Sequence, residues 1–164
     1  MNFDITKIAN AILFMLEKKV VNLNDKKLCA LLFIIEYNHL QTYEEKIFGE
    51  TFIKGKRSPE PQIMGDLFNI IANNIDLEDD DERLYIITEL LDFLDIEILE
   101  KEKFNELNFI KMEEEYDKSV FSQKERKTLE AVVEKYLKET PRQMANATFA
   151  KEKVRNTALG EIII

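Results

Sequence analysis

The stretch NDKKLCALLFIIEYNHL, residues 24–40, decides the fold class. Leu28, Leu31, Leu32 and Ile35 recur at three- and four-residue spacing on one helical face, while Phe33, Ile34, Tyr37 and Leu40 cover much of the rest. A helix that is apolar nearly all round has no side to give to water, so it belongs at the centre of a helical domain. Asn24 stands at the N-cap, where its side-chain oxygen can take an amide that the first turn leaves free.

Upstream, Ile5, Ile8, Ala9, Ile12, Leu13 and Leu16 predict a first helix over about residues 4–19, capped by Asp4 or Thr6. Its apolar stretch is flanked by Asp4, Lys7 and Glu17-Lys18-Lys19 and lacks a small-residue cleavage site, so it does not read as a secretory signal. Phe14 and Met15 are apolar positions that an exposed face could use in a dimer. No apolar run is long enough to span a membrane.

Downstream, the helical period is lost between Ile47 and Lys56, where β-branched and aromatic residues bounded by glycines suggest a short β-hairpin or extended segment near 47–57. Ser58-Pro59-Glu60-Pro61 ends it, and Pro61 can open a third helix that runs to about Asn74. Asp76 to Glu82 reads as a solvated loop that caps a fourth helix carrying Leu84, Ile87, Leu90, Leu91 and Leu94. After Glu100 the pattern weakens, and Phe104 to Met112 reads as irregular or extended. Ser122 and Glu125 form a capping box for the next helix, and Thr140-Pro141 opens another through about Phe149. The tail adds a turn or more of helix before Ile162-Ile163-Ile164. The expectation is a mainly α chain of about six helices. Without a repeat, linker or composition break, residues 1–164 are expected to form a single domain.

The net charge of -9 is unevenly placed. Between Asp76 and Glu102 stand twelve acidic and two basic residues, a local balance of -10 that leaves the remainder at +1. Lys118 to Arg155 carries ten basic and five acidic residues. Overall acidity disfavours nucleic acid as a partner, since that affinity rests on clustered Lys and Arg. The basic C-terminal part, helical through Thr140-Pro141, leaves a DNA-associated regulator as the alternative reading.

Signs of catalysis are sparse. The four glycines are too dispersed for a phosphate loop, and one His with one Cys cannot supply an ordinary zinc site, so no cofactor or metal is expected. Cys29 lies in an apolar run, which favours burial over a reactive thiol and suits a reducing compartment. His39 could serve as a base or be bonded structurally at a helix end. An enzyme assembled from scattered acids is a third reading that needs a pocket to support it. Lys54, Lys56 and Arg57 could contact an anionic partner surface or solubilise a hairpin end. Asp79, Asp80, Asp81 and Glu82 lack calcium-loop spacing and read as a solvated acidic loop able to steer a basic partner.

Lys27-Leu28, Leu31-Leu32-Phe33, Tyr37, His39-Leu40, Phe48, Phe52 and the Ser58-Pro59 turn together resemble the Panacea, or SocA-like, antitoxin domain. Phe121-Ser122 with Glu125 is similar to that family's Phe-Ser-x-x-Glu helix opening, and the spacing to Met144, Thr148 and Gly160-Glu161-Ile162 is similar too. The resemblance covers most of the chain. It departs at Ser58, where the family usually has glycine, and at Thr148-Phe149 and Val154-Arg155, where the family tends to a Thr-His pair and a later Pro-Trp. The resemblance implies a non-enzymatic protein that binds and neutralises a protein toxin encoded by a neighbouring gene, and the lone cysteine with no secretory signal or membrane span sets the expected location as cytoplasmic. In some members it implies delivery of that toxin to a protease as an adaptor, and prophage or mobile-element settings. His39, the basic cluster 54–57 and the acids 79–82 are the partner-contact candidates.

Overall fold

A computed structural model describes residues 2–164 of the chain. Helix α1 spans Ile5–Glu17, and Asp4 rather than Thr6 caps it by accepting the Lys7 N–H at 3.1 Å. Lys19 and Asn22 turn the chain through positive φ. Asn24 then accepts the Lys27 N–H at 2.8 Å and starts α2, Asp25–Tyr43. Leu28 and Ala30 to Ile35 are all buried, so the helix that is apolar nearly all round is the central one. The later elements pack around it. Burial of Phe14 (6 % exposed) and Met15 (0 %) corrects the idea that these two residues serve a dimer: both face inward from α1.

The hairpin expected near 47–57 lies further on. β1 is Phe52–Lys54 and β2 is Pro59–Pro61, paired antiparallel with Phe52 opposite Pro61 and Lys54 opposite Pro59. Two prolines can occupy a strand here because the ladder bonds run between the alternate pairs. Gln62 N–H reaches Thr51 O at 2.9 Å and Gly55 N–H reaches Ser58 O at 3.2 Å, which puts both prolines where no donor is needed. Pro61 therefore closes the strand instead of opening the helix, and α3 runs Gln62–Ala72. On the other edge of β1 the C-terminal residues add backbone bonds, from Phe52 N–H to Ile164 O (2.9 Å) and from Ile163 N–H to Phe52 O (2.8 Å).

α4 covers Glu82–Phe93, capped by Asp81. Its expected last contact, Leu94, is instead the first residue of strand β3, Leu94–Glu100, which pairs antiparallel with β4, Asn105–Lys111. The helical spacing from Leu84 to Leu94 hides the change of period, because Leu94 satisfies both patterns. Leu94, Ile96 and Ile98 then face the core while Asp95 and Glu97 face outward. The extended reading of 104–112 agrees with β4.

α5 spans Gln123–Lys135 with the Ser122/Glu125 capping box formed. α6 spans Pro141–Phe149 with a second box from Thr140 and Gln143, and the five-residue α7, Glu152–Asn156, lies in the tail. The described residues thus hold seven α-helices and two small hairpins, a mainly α architecture. Both α5 and α6 pack on α2, and α4 packs on α1.

Candidate functional site

Charged groups inside this fold come first, because burying them demands partners. The Glu36 carboxylate, wholly buried on α2, accepts backbone N–H groups from Ile47 (2.5 Å), Phe48 (3.0 Å) and Glu50 (3.2 Å). Glu50 repeats the device one step further along. Its carboxylate accepts from Thr51 (2.9 Å), Ile63 (3.1 Å) and Met64 (2.8 Å), so it caps α3, whose N-cap residue Pro61 has no side chain able to do so. Burial pushes both carboxyls above the usual range, while the backbone donors and Lys46 pull them back. Gly49 sits between these two anchors at φ +73°, where a Cβ would meet the backbone carbonyl of Asn2.

Lys27 is buried as well. Its Nζ donates to Val21 O (2.6 Å) and Leu137 O (3.2 Å), tying the α1–α2 turn to the end of α5, and burial lowers its ammonium. Each of these side chains is spent on the backbone.

His39 is fully buried near the end of α2 and bonded there as a structural histidine, which corrects only its reading as a partner contact: its imidazole has no surface to offer. Thr128 Oγ1 donates to Lys124 O at 3.2 Å, so it accepts from His39 Nδ1 at 2.8 Å, which assigns the proton to that nitrogen. Among the described residues Nε2 has no hydrogen-bond partner, and burial holds the ring below its ordinary value. Cys29 is half-buried, and burial, with Asp25, Glu50 and Glu60 nearby, pushes its thiol far up. Such a thiol is a poor nucleophile.

The basic cluster divides. Lys54 Nζ donates to Val154 O (2.5 Å) and Thr157 O (3.1 Å) and lies 5.3 Å from the centre of the Phe149 ring. Arg155 Nη1 in turn donates to Phe149 O (3.0 Å) and Ala150 O (2.8 Å), closing the end of α6. The residues at which the sequence departs from the family pattern near its end therefore meet around Lys54. Lys56 and Arg57 are exposed at the hairpin turn and enter none of the ion pairs of the described residues.

The acidic run divides in the same way. Asp81 caps α4 through the Arg83 N–H (2.9 Å) and grips the Arg83 guanidinium through Nε (3.1 Å) and Nη2 (2.8 Å). Those bonds hold its carboxyl down at about 2. Arg83 also reaches Asp66 at 3.2 Å. Asp79, Asp80 and Glu82 stay exposed. Among the described residues no group of three or more His, Cys, Asp or Glu is placed to hold a metal ion.

The surface carries two shallow depressions. One, about 420 Å³, is lined by Gln123, Arg126, Lys127, Glu130, Ala131 and Glu134 on α5; the other, about 340 Å³, by Asn22, Asn24, Glu106, Asn108 and Pro141. Neither gathers the carboxyls that burial raises, so the reading as an enzyme of scattered acids gains no pocket. The DNA-associated reading loses some of its cations. Lys151 bonds Asn38 and lies over Tyr37, Lys124 lies over Tyr43, and Arg155 is taken up by α6.

What sequence reasoning missed is a surface formed by α4 and the β3–β4 hairpin. Tyr85 (60 % exposed) and Leu91 stand out on α4 beside Glu82, Glu89 and Asp92. Ile110, on β4, is exposed opposite Asp95. The alternation Asp95-Ile96-Glu97-Ile98 was the signal available for it.

The inner charges of this helical scaffold are committed largely to its own backbone, and its outer surface mixes acids with apolar side chains. The model of the family "Antitoxin SocA-like, Panacea domain" matches residues 28–153, and the chain belongs to that family. No curated protein and no solved structure matches it. The matched part runs from the first turn of α2 into α7 and takes in both acid-anchored turns and the whole acidic region.

Proposed function

We propose that this protein is an antitoxin that binds a protein toxin encoded by a neighbouring gene and neutralises it by contact. The observation that carries the reading is the family match over residues 28–153. The commitment of Glu36, Glu50, Lys27 and His39 to internal bonds or burial supports a binding role over a catalytic one. The reading places the protein in the cytoplasm with its toxin, consistent with the absence of any helix among the described residues long and apolar enough to cross a membrane. It treats residues 1–164 as one domain, a view supported by a core to which Ile5 and Ile164 both contribute. Lys56, Arg57, Asp79, Asp80 and Glu82 remain the accessible members of the contact set.

Co-expression with the neighbouring gene product is the test. The expected result is rescue of growth and a complex that survives purification; no complex and no rescue overturn the reading. The adaptor form of the reading makes one further demand. On top of complex formation, the toxin must disappear faster in a pulse-chase when this protein is present, and an unchanged toxin lifetime leaves neutralisation by contact alone.

A further inference from the structure

We propose that the toxin docks on the free edge of β3, adding an extended, basic segment of its own as a third strand beside the β3–β4 hairpin. The inference rests on the antitoxin reading and deepens it by naming the surface and the chemistry of the segment it takes.

The two edges of the hairpin differ. On the β4 side, Leu107 N–H donates to Asp25 Oδ1 (3.1 Å), Asn24 Nδ2 donates to Glu106 Oε1 (2.8 Å), and Asn24 and Asn108 form a β-bridge. That edge is covered. On the other side β3 pairs, among the described residues, with no element except β4. Lys101 N–H bonds Phe104 O at 2.9 Å in the turn, and counting by twos from that pair makes 99–106, 97–108 and 95–110 the bonded pairs of the ladder. The backbone groups of Ile96, Ile98 and Glu100 therefore point away from the hairpin. Among the described residues only the Ile96 N–H is answered, by Asp95 Oδ1 at 2.8 Å. An unpaired edge of this kind is a template for another strand.

Charge selects the occupant. The outward pairs of the hairpin are Asp95 with Ile110, Glu97 with Asn108 and Leu99 with Glu106, which include three acids and no base. α4 runs straight into β3 and adds exposed Glu82, Glu89 and Asp92 with Tyr85 and Leu91. Arg83, the base nearest these acids on α4, is already held by Asp81 and Asp66. A second copy of this chain paired edge to edge would set Asp95, Glu97 and Glu100 against the same acids, which repels. The same acids favour a strand carrying Lys or Arg at alternate positions, and seven residues of β3 offer about 23 Å of edge for it.

The test uses the full chain co-expressed with the neighbouring gene product. A double variant Asp95→Lys/Glu97→Lys changes exposed side chains only, and Glu130→Lys/Glu134→Lys makes the same change in net charge at two exposed positions of α5. Circular dichroism melts show whether each remains folded. The expected result is that the edge variant binds about tenfold or more weakly and no longer rescues growth, while the α5 variant keeps affinity within about threefold. Amide hydrogen exchange of the wild-type complex should show new protection at Ile98 and Glu100. A folded edge variant that binds and rescues like wild type, or protection elsewhere with none on β3, overturns the docking surface and leaves the antitoxin reading standing. A free protein that already protects Ile98 as a dimer also overturns it. If the wild-type protein neither binds nor rescues, the antitoxin reading falls and this inference falls with it.

Discussion

Between Glu36 and Met64 the chain hides two carboxylates and gives each of them three backbone amides, whereas between Asp76 and Glu102 it displays twelve acids with Arg83 and Lys101 the only bases among them. The same functional group does opposite work in the two regions. Inside, a carboxylate fixes a turn that has little regular structure of its own, because the loss of any one partner strands a buried donor. Outside, it makes a field that acts on whatever approaches. Asp81 stands between the two cases: it is an acid of the outer region that nevertheless caps α4 and holds Arg83.

The sharpest way to break this comparison is to remove an inner acid and an outer one. Glu36→Ala or Glu50→Ala leaves three amides without an acceptor and should lower unfolding free energy by about 3 kcal/mol or more, read from urea denaturation. Asp79→Ala should leave the urea midpoint unchanged within error. Equal losses at the two sites would erase the distinction. A smaller effect is expected from Gly49→Ala, which changes neither acid but strains the turn between them through positive φ and the Asn2 carbonyl. A loss of about 1–2 kcal/mol is expected there.

Helix starts were legible in the sequence because capping is a local transaction. Asp4, Asn24, Ser122 with Glu125, and Thr140 with Pro141 each act within three residues. The roles of Glu50 and Lys54 were not legible, since Glu50 caps a helix that starts beyond an intervening hairpin and Lys54 meets carbonyls of Val154 and Thr157 a hundred residues on. β3 escaped for a different reason, as Leu94 fits the helix before it and the strand it begins. Of the site candidates, Asp79, Asp80, Glu82, Lys56 and Arg57 are exposed, Asp81 is taken up by Arg83, and His39 and Lys54 are drawn inward by partners that no local pattern announces.

A subtler effect is tied to pH and tests the interior once more. Burial keeps His39 neutral in the folded protein, while the unfolded chain takes up a proton near pH 6.5. The stability it confers is therefore intact above pH 6.5 and declines as pH falls from there toward the lower folded value, by at most about 1.4 kcal/mol per pH unit. Glu36 and Glu50 run the other way. Their raised carboxyls contribute stability that is complete below the unfolded value and is lost as pH rises through the folded one. Comparing wild type with His39→Gln from pH 8 to 5.5 isolates the imidazole, and the variant should show the flatter decline. Identical slopes would mean that the ring is not held neutral.

The bonds between β1 and the C-terminal residues bear on how the protein is made. Phe52 N–H is answered by Ile164 O, and the buried Phe52 ring meets Phe33 edge-on at 5.3 Å. During synthesis the central helix and both acid-anchored turns emerge long before residues 161–164, and the outer edge of β1 has no partner until that segment arrives. A nascent chain short of residues 161–164 thus carries an open seam in which Phe52 and Lys54 present unanswered backbone groups, and loss of that segment reopens it far along the chain from the acidic surface.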